Sequence, residues 1–185
     1  MESEKPMSET APATAESLPV HTTSAGKSLT ELSENQLLLV VFLRHSGCTF
    51  CRQALSDLQK IQPQLAAEGA QIVVVSMSDQ AETLEMLKKY GLHHAVAISD
   101  PEKKLYQHFH LGAGNFMELL GPSVFLKGMK ACIFEGHGVG KPEGDVRQMP
   151  GVVIMKNGAV LKQVQHKSAA DRPDYLSLVQ QAKQA

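Results

Sequence analysis

Seven consecutive apolar residues, Leu37 to Leu43, stop at Arg44-His45-Ser46-Gly47 and are followed at once by Cys48-Thr49-Phe50-Cys51. The run is too short for a helix, shows no polar alternation and is rich in β-favouring side chains, so it reads as a strand buried on both faces. Gly47 suits the tight turn that follows. Beyond the second cysteine, Leu55, Leu58, Ile61 and Leu65 recur at intervals of three and four, which puts them on one buried face of a helix. The two thiols therefore stand where a strand hands over to a helix. That junction limits fold and chemistry more than any other stretch of the chain.

Residues three apart at a helix start lie on one side, with Cα atoms about 5–6 Å apart, inside the window a disulfide can close. The first helical turn also leaves backbone N–H groups unpaired and carries the positive end of the dipole. Cys48 is the nearer to those groups and is expected to be the nucleophile, with Cys51 as the resolving thiol. Arg44 and His45 add positive potential if they lie alongside, and such surroundings lower a thiol pKa from about 8.5 toward roughly 3.5–7.5. A structural cysteine pair, or half of a zinc site, uses the same spacing. The strand–CxxC–helix context favours redox chemistry.

With 185 residues, 43% of them hydrophobic, the chain can form one globular domain with a substantial core. A formal net charge of −1 gives no electrostatic reason to invoke nucleic acid or an anionic membrane. There is no Trp and aromatics make up only 5%, which argues against base-stacking platforms. Three cysteines, two of them in one motif, do not form an extracellular disulfide framework. No apolar stretch approaches the ~20 residues needed to span a bilayer. The opening MESEKPMSETAPATAES lacks the basic and apolar regions of a secretory signal, so the expected location is cytoplasmic.

Residues 1–27 are rich in Ser, Thr, Glu, Ala and Pro and are expected to form a disordered tail, leaving 28–185 as the folded domain. Ser28-Leu29-Thr30-Glu31 has the spacing of a capping box and predicts a short helix before the central strand. Gly69 ends the first long helix, and Gln71 to Ser76 supplies a second buried strand. Asp79 to Tyr90 has helical spacing with Leu84 and Leu87 inward and Lys88-Lys89 in the last turn. Ala95 to Ser99 reads as a third strand. Asp100-Pro101 then opens a helix with proline at its first position and Leu105, Tyr106 and Phe109 inward. Strand and helix alternating at these lengths imply parallel crossovers. Val152 to Met155 and Val160 to Val164, joined by Asn157-Gly158, read as a hairpin, and Asp174 to Gln181 as a terminal helix.

The stretch from about 112 to 148 is punctuated by glycines and reads as a loop-rich insertion with a short apolar segment at Val124 to Met129. Its Gly136-His137-Gly138-Val139-Gly140-Lys141 lacks both the ending of a P-loop and the spacing of a dinucleotide fingerprint, so a flexible loop is the better reading. Cys132 is either a buried apolar residue or a third redox partner, the former being the commoner fate of a free cysteine. His93-His94 and His108-x-His110 do not supply the ligand sets of structural zinc sites. No metal and no cofactor are expected.

The strand–CxxC–helix followed by a hairpin led by Met149-Pro150 and a final helix resembles the thioredoxin fold. The extra strand and helix at Ala95 to Phe109, with Asp100 and Tyr106, is similar to the peroxiredoxin branch. The chain resembles the peroxiredoxin-like group of the alkyl hydroperoxide reductase/thiol-specific antioxidant superfamily. The resemblance implies a three-layer α/β fold, a central mixed sheet flanked by helices, with the insertion preceding a hairpin led by a cis proline that faces the CxxC. It also implies that Met149 and Pro150 dock the substrate through their backbone groups. Arg147 is a further candidate for support of a thiolate, against the plainer reading of a solvated arginine.

Peroxiredoxins resemble one another in P-x-x-x-T/S-x-x-C. With Cys51 in the last place, Cys48 and Arg44 occupy the Thr/Ser and Pro positions; with Cys48 there, His45 and Val41 do. Neither register rebuilds the peroxide pocket, whereas dithiol exchange needs only the two sulfurs and a docking surface. The expected function is thiol–disulfide oxidoreduction of peroxiredoxin-like, antioxidant type. The substrate would be a disulfide or a peroxide, and the partner an external thiol reductant of thioredoxin or glutathione type. The alternative is a non-catalytic redox-sensing or partner-binding module.

Overall fold

A computed structural model describes residues 8–9, 18–19, 21–44, 48–114, 121, 145 and 147–184. Its strands are β1 (Ser8–Glu9), β2 (Leu37–Phe42), β3 (Ala70–Ser76), β4 (Val96–Ser99), β5 (Gly151–Lys156) and β6 (Ala159–Gln165). Its helices are α1 (Leu29–Asn35), α2 (Thr49–Ala67), α3 (Gln80–Lys89), α4 (Lys104–His108) and α5 (Tyr175–Gln184). They form an α/β thioredoxin-like fold around one sheet of order β1-β6-β5-β2-β3-β4. β2, β3 and β4 are parallel, and β5, β6 and β1 are added antiparallel beside β2.

β2 has no polar alternation because it feeds two cores. Leu37, Leu39, Val41 and Leu43 pack on one face with Leu55, Leu58 and Leu65 of α2, Leu87 of α3 and Val179 of α5. Leu38, Val40 and Phe42 pack on the other with Leu29 and Leu32 of α1 and with Leu105, Tyr106 and Phe109 around α4. Phe42 meets the rings of Tyr106 and Phe109 edge-on, with centroids 5.1 and 5.5 Å apart.

Several local signals operate as the sequence predicts. Ser28 and Glu31 form a reciprocal capping box at α1. Asn157 and Gly158 turn the β5–β6 hairpin with φ angles of 52° and 71°. Pro101 departs from its expected place at the start of a helix. Asp100, fully buried, accepts the backbone N–H groups of Lys104, Leu105 and Tyr106 at 2.9, 2.8 and 3.4 Å. This side-chain cap acts from upstream, so Pro101 and Glu102 become a turn and α4 begins only at Lys104.

The folded domain also reaches back into the stretch expected as a tail. Ser24 N–H donates to Ala97 O at 2.8 Å, and Ser24 Oγ accepts Ala97 N–H at 2.9 Å. Thr23 is buried, and His21 Nε2 lies 3.1 Å from Asp100 Oδ1. The reason is the open edge of β4, whose backbone groups need partners. At the insertion, Ala113 and Gln148 form an antiparallel bridge that joins its two ends. Cys132, the Val124 to Met129 segment and the Gly136 to Lys141 loop lie outside the described residues.

Candidate active site

The sheet register brings three chain ends together. Phe42 of β2 pairs with Gly151 of β5, which pairs with Gln165 of β6. One residue beyond this row stand Leu43, Pro150 and His166, and the His166 N–H donates to Pro150 O at 3.4 Å. Leu43 is held in place: its N–H donates to Val75 O, and its carbonyl accepts the Tyr106 hydroxyl at 2.6 Å. Burial raises the Tyr106 pKa, which keeps that hydroxyl a donor.

Arg44 is next, and it is 7% exposed. Its backbone N–H donates to Cys51 Sγ at 3.1 Å, its Nε to Gln148 O at 3.0 Å, and its Nη1 reaches Cys48 Sγ at 3.5 Å. A buried guanidinium has to be satisfied by acceptors, and here a carbonyl and a sulfur serve. Cys48 caps α2, and both cysteines are buried free thiols. The Cys48 pKa falls to about 6. The largest cause is the hydrogen bond donated by the Cys51 thiol. Burial opposes the shift, while the Arg44 guanidinium and the backbone N–H groups of Cys51 and Phe50 reinforce it. The shift favours the Cys48 thiolate, and the group that does most to lower the pKa is the neighbouring sulfur.

A pocket of about 20 Å³ opens over Cys51, with Leu43, Phe50, Pro150, His166, Asp171 and Tyr175 among its walls. That is room for roughly one water-sized group. Met149 and Pro150 are buried beside this site at the head of β5. The Met149–Pro150 bond is trans, which corrects the expected cis proline; no cis peptide bond occurs among the described residues. An X-Pro bond takes the trans form unless its surroundings impose the other, and Pro150 here runs straight into an extended strand. Arg147 is not brought to the thiols: its side chain is 70% exposed and pairs with Asp145. His45 lies outside the described residues. Among the described residues no group of three or more His, Cys, Asp or Glu side chains is placed to hold a metal ion.

Sequence reasoning passed over Gln148, His166 and Asp171. Gln148 anchors Arg44 through its carbonyl, while its amide donates to Leu111 O at 2.5 Å. No local motif marks these residues. Only the β2–β5–β6 register, once known, puts His166 beside Pro150.

Residues 10–133 match the AhpC/TSA family. The chain is 28% identical over 147 residues to Peroxiredoxin-like 2C of Bos taurus, covering 74% of this chain but only 63% of that protein. It is 26% identical over 157 residues to the prostamide/prostaglandin F synthase of Danio rerio, covering 82% of this chain and 77% of that one. Among solved structures it is similar to a peroxiredoxin Q of Xanthomonas campestris, with a TM-score of 0.61, 14% identity and 89% of each chain covered. It is also similar to reduced Prx3 of Vibrio vulnificus, with a TM-score of 0.64, 15% identity, and 92% and 99% of the two chains covered. These structural likenesses concern the fold.

Proposed function

The chain belongs to the AhpC/TSA family, and from that premise we propose that it is a thiol–disulfide oxidoreductase of peroxiredoxin-like, antioxidant type. The observation that carries this reading is the Cys48–Cys51 pair at the start of α2, with the Arg44 guanidinium 3.5 Å from the Cys48 sulfur and the Cys48 pKa lowered by these neighbours. With a peroxide, the Cys48 thiolate attacks one oxygen; the O–O bond breaks, the leaving alkoxide or hydroxide takes a proton from solvent, and Cys48 becomes a sulfenic acid. Cys51 then attacks the Cys48 sulfur, forming the disulfide and releasing water. With a disulfide substrate, Cys48 forms a mixed disulfide and expels one thiolate, and Cys51 expels the second. In either case two equivalents of an external thiol, of thioredoxin or glutathione type, restore the dithiol and leave as a disulfide.

Arg44 supports both variants, because its charge can follow negative charge as it moves from Cys48 to the leaving atom. The test is turnover of peroxide, or of a small disulfide, with excess dithiol, in the wild type and in Cys48→Ser and Cys51→Ser. Catalytic cycling in the wild type, lost in both variants, is the expected result. Stoichiometric oxidation of the wild type without cycling would overturn the enzymatic reading in favour of a redox-sensing module.

A further inference from the structure

Arg44 reaches Cys48 on a long side chain with several rotatable bonds, so its charge acts on that sulfur in full only where the guanidinium is held in place. One hold is at Nε, which donates to the Gln148 carbonyl at 3.0 Å. Nε and Nη1 belong to one rigid plane, so fixing the first fixes the direction of the second, which lies 3.5 Å from Cys48 Sγ.

That carbonyl belongs to the Gln148–Met149 peptide group. A trans peptide points its C=O and N–H in opposite directions. The Met149 N–H donates to Gly112 O at 3.1 Å, so the Gln148 carbonyl faces the other way, toward Arg44. Gly112 and Gln148 are the two ends of the insertion. They are joined further by the Ala113–Gln148 bridge and by the Gly114 N–H, which donates to Arg147 O at 2.7 Å. The Gln148 side chain, in a residue only 3% exposed, closes this neck. Its Nε2 lies 2.5 Å from Leu111 O, 3.3 Å from Gly112 O and 3.2 Å from Met149 O. Carbonyls that converge on one buried nitrogen need a donor there, and a primary amide brings two N–H groups without a charge.

We propose that Gln148 is a positioning residue for the thiol pair: its side-chain amide ties the neck of the insertion and so sets the peptide group whose carbonyl aims the Arg44 guanidinium at the Cys48 sulfur. This rests on the reading of Cys48 and Cys51 given under Proposed function. Gln148 acts on Cys48 through Arg44, so its effect has to vanish when the guanidinium is absent.

The test is the rate of alkylation by iodoacetamide against pH, followed at the Cys48 peptide by mass spectrometry. It compares the wild type with Gln148→Met, Arg44→Met and the double variant. Gln148→Met keeps the length of the side chain and removes its donors. Its midpoint is expected to rise above the wild-type value, by no more than in Arg44→Met. In the Arg44→Met background the same substitution is expected to move the midpoint no further, because changes along one line of contacts do not add. If Gln148→Met does not fold, Gln148→Asn, whose amide is one methylene short of the three carbonyls, carries the same comparison. A midpoint left at the wild-type value overturns the proposal. So does a rise that persists undiminished in the Arg44→Met background, which would mean a packing role independent of the guanidinium. A wild-type midpoint at the ordinary thiol value of about 8.5 would instead sink the reading of Cys48 as the activated sulfur.

Discussion

At Cys48, burial and hydrogen bonding act in opposite directions, and the donors prevail: the Cys51 thiol first, the Arg44 guanidinium after it. For an acid whose pKa is depressed, removing a donor must move the midpoint back up. The rate of Cys48 alkylation against pH should have its midpoint near 6 in the wild type. Cys51→Ala and Arg44→Met should each move it upward, Cys51→Ala the further of the two. Midpoints unchanged in both variants would contradict this assignment. Arg44, Cys48 and Cys51 were legible in the sequence because strand, turn and helix cap lie within eight residues of one another. The Gln148 carbonyl that holds Arg44 was not, because it is 104 residues away and contributes only backbone.

The elements assemble by rules that are mostly local, and the exceptions are informative. The capping box at α1, the Asn157-Gly158 turn and the buried run of β2 are all visible in the sequence, since each depends on neighbouring side chains or dihedral preference. Pro101 misleads because a helix start at proline looks the same in sequence whether or not a carboxylate upstream takes over the capping. Asp100→Ala should accordingly cost about 3 kcal/mol, from three backbone donors left without their charged acceptor. Gly151 is a different kind of constraint. A Cβ there would meet Leu111 Cδ2 at 2.5 Å and Val164 O at 3.2 Å, where β5 passes between its neighbours. Gly151→Ala should cost about 1–3 kcal/mol of overpacking strain. Both losses should appear as lower urea midpoints at unchanged slope; unchanged midpoints would contradict them.

Across the whole molecule, the sheet is closed at each side by chain from the amino-terminal region: Ser24 on β4, and Ser8–Glu9 antiparallel to β6. Composition alone put the start of the domain at 28, because small polar residues that satisfy an open strand edge look like linker. Deleting residues 1–27 should cost about 2–3 kcal/mol in the denaturant midpoint and promote self-association through the bared β4 edge. A truncated chain of full stability that stays dispersed would contradict that role. None of the described helices is long and apolar enough to cross a membrane. The chain has three cysteines, so the central claim is best tested over all of them at once. The measurement is peptide mapping after one equivalent of a small disulfide, in the wild type and in each single Cys→Ser variant at 48 and 51. The account predicts a Cys48–Cys51 bridge in the wild type and, in Cys51→Ser, an adduct trapped on Cys48. A wild type whose two sulfurs stay unbridged, or an adduct that forms as readily on Cys51 in Cys48→Ser, would contradict it.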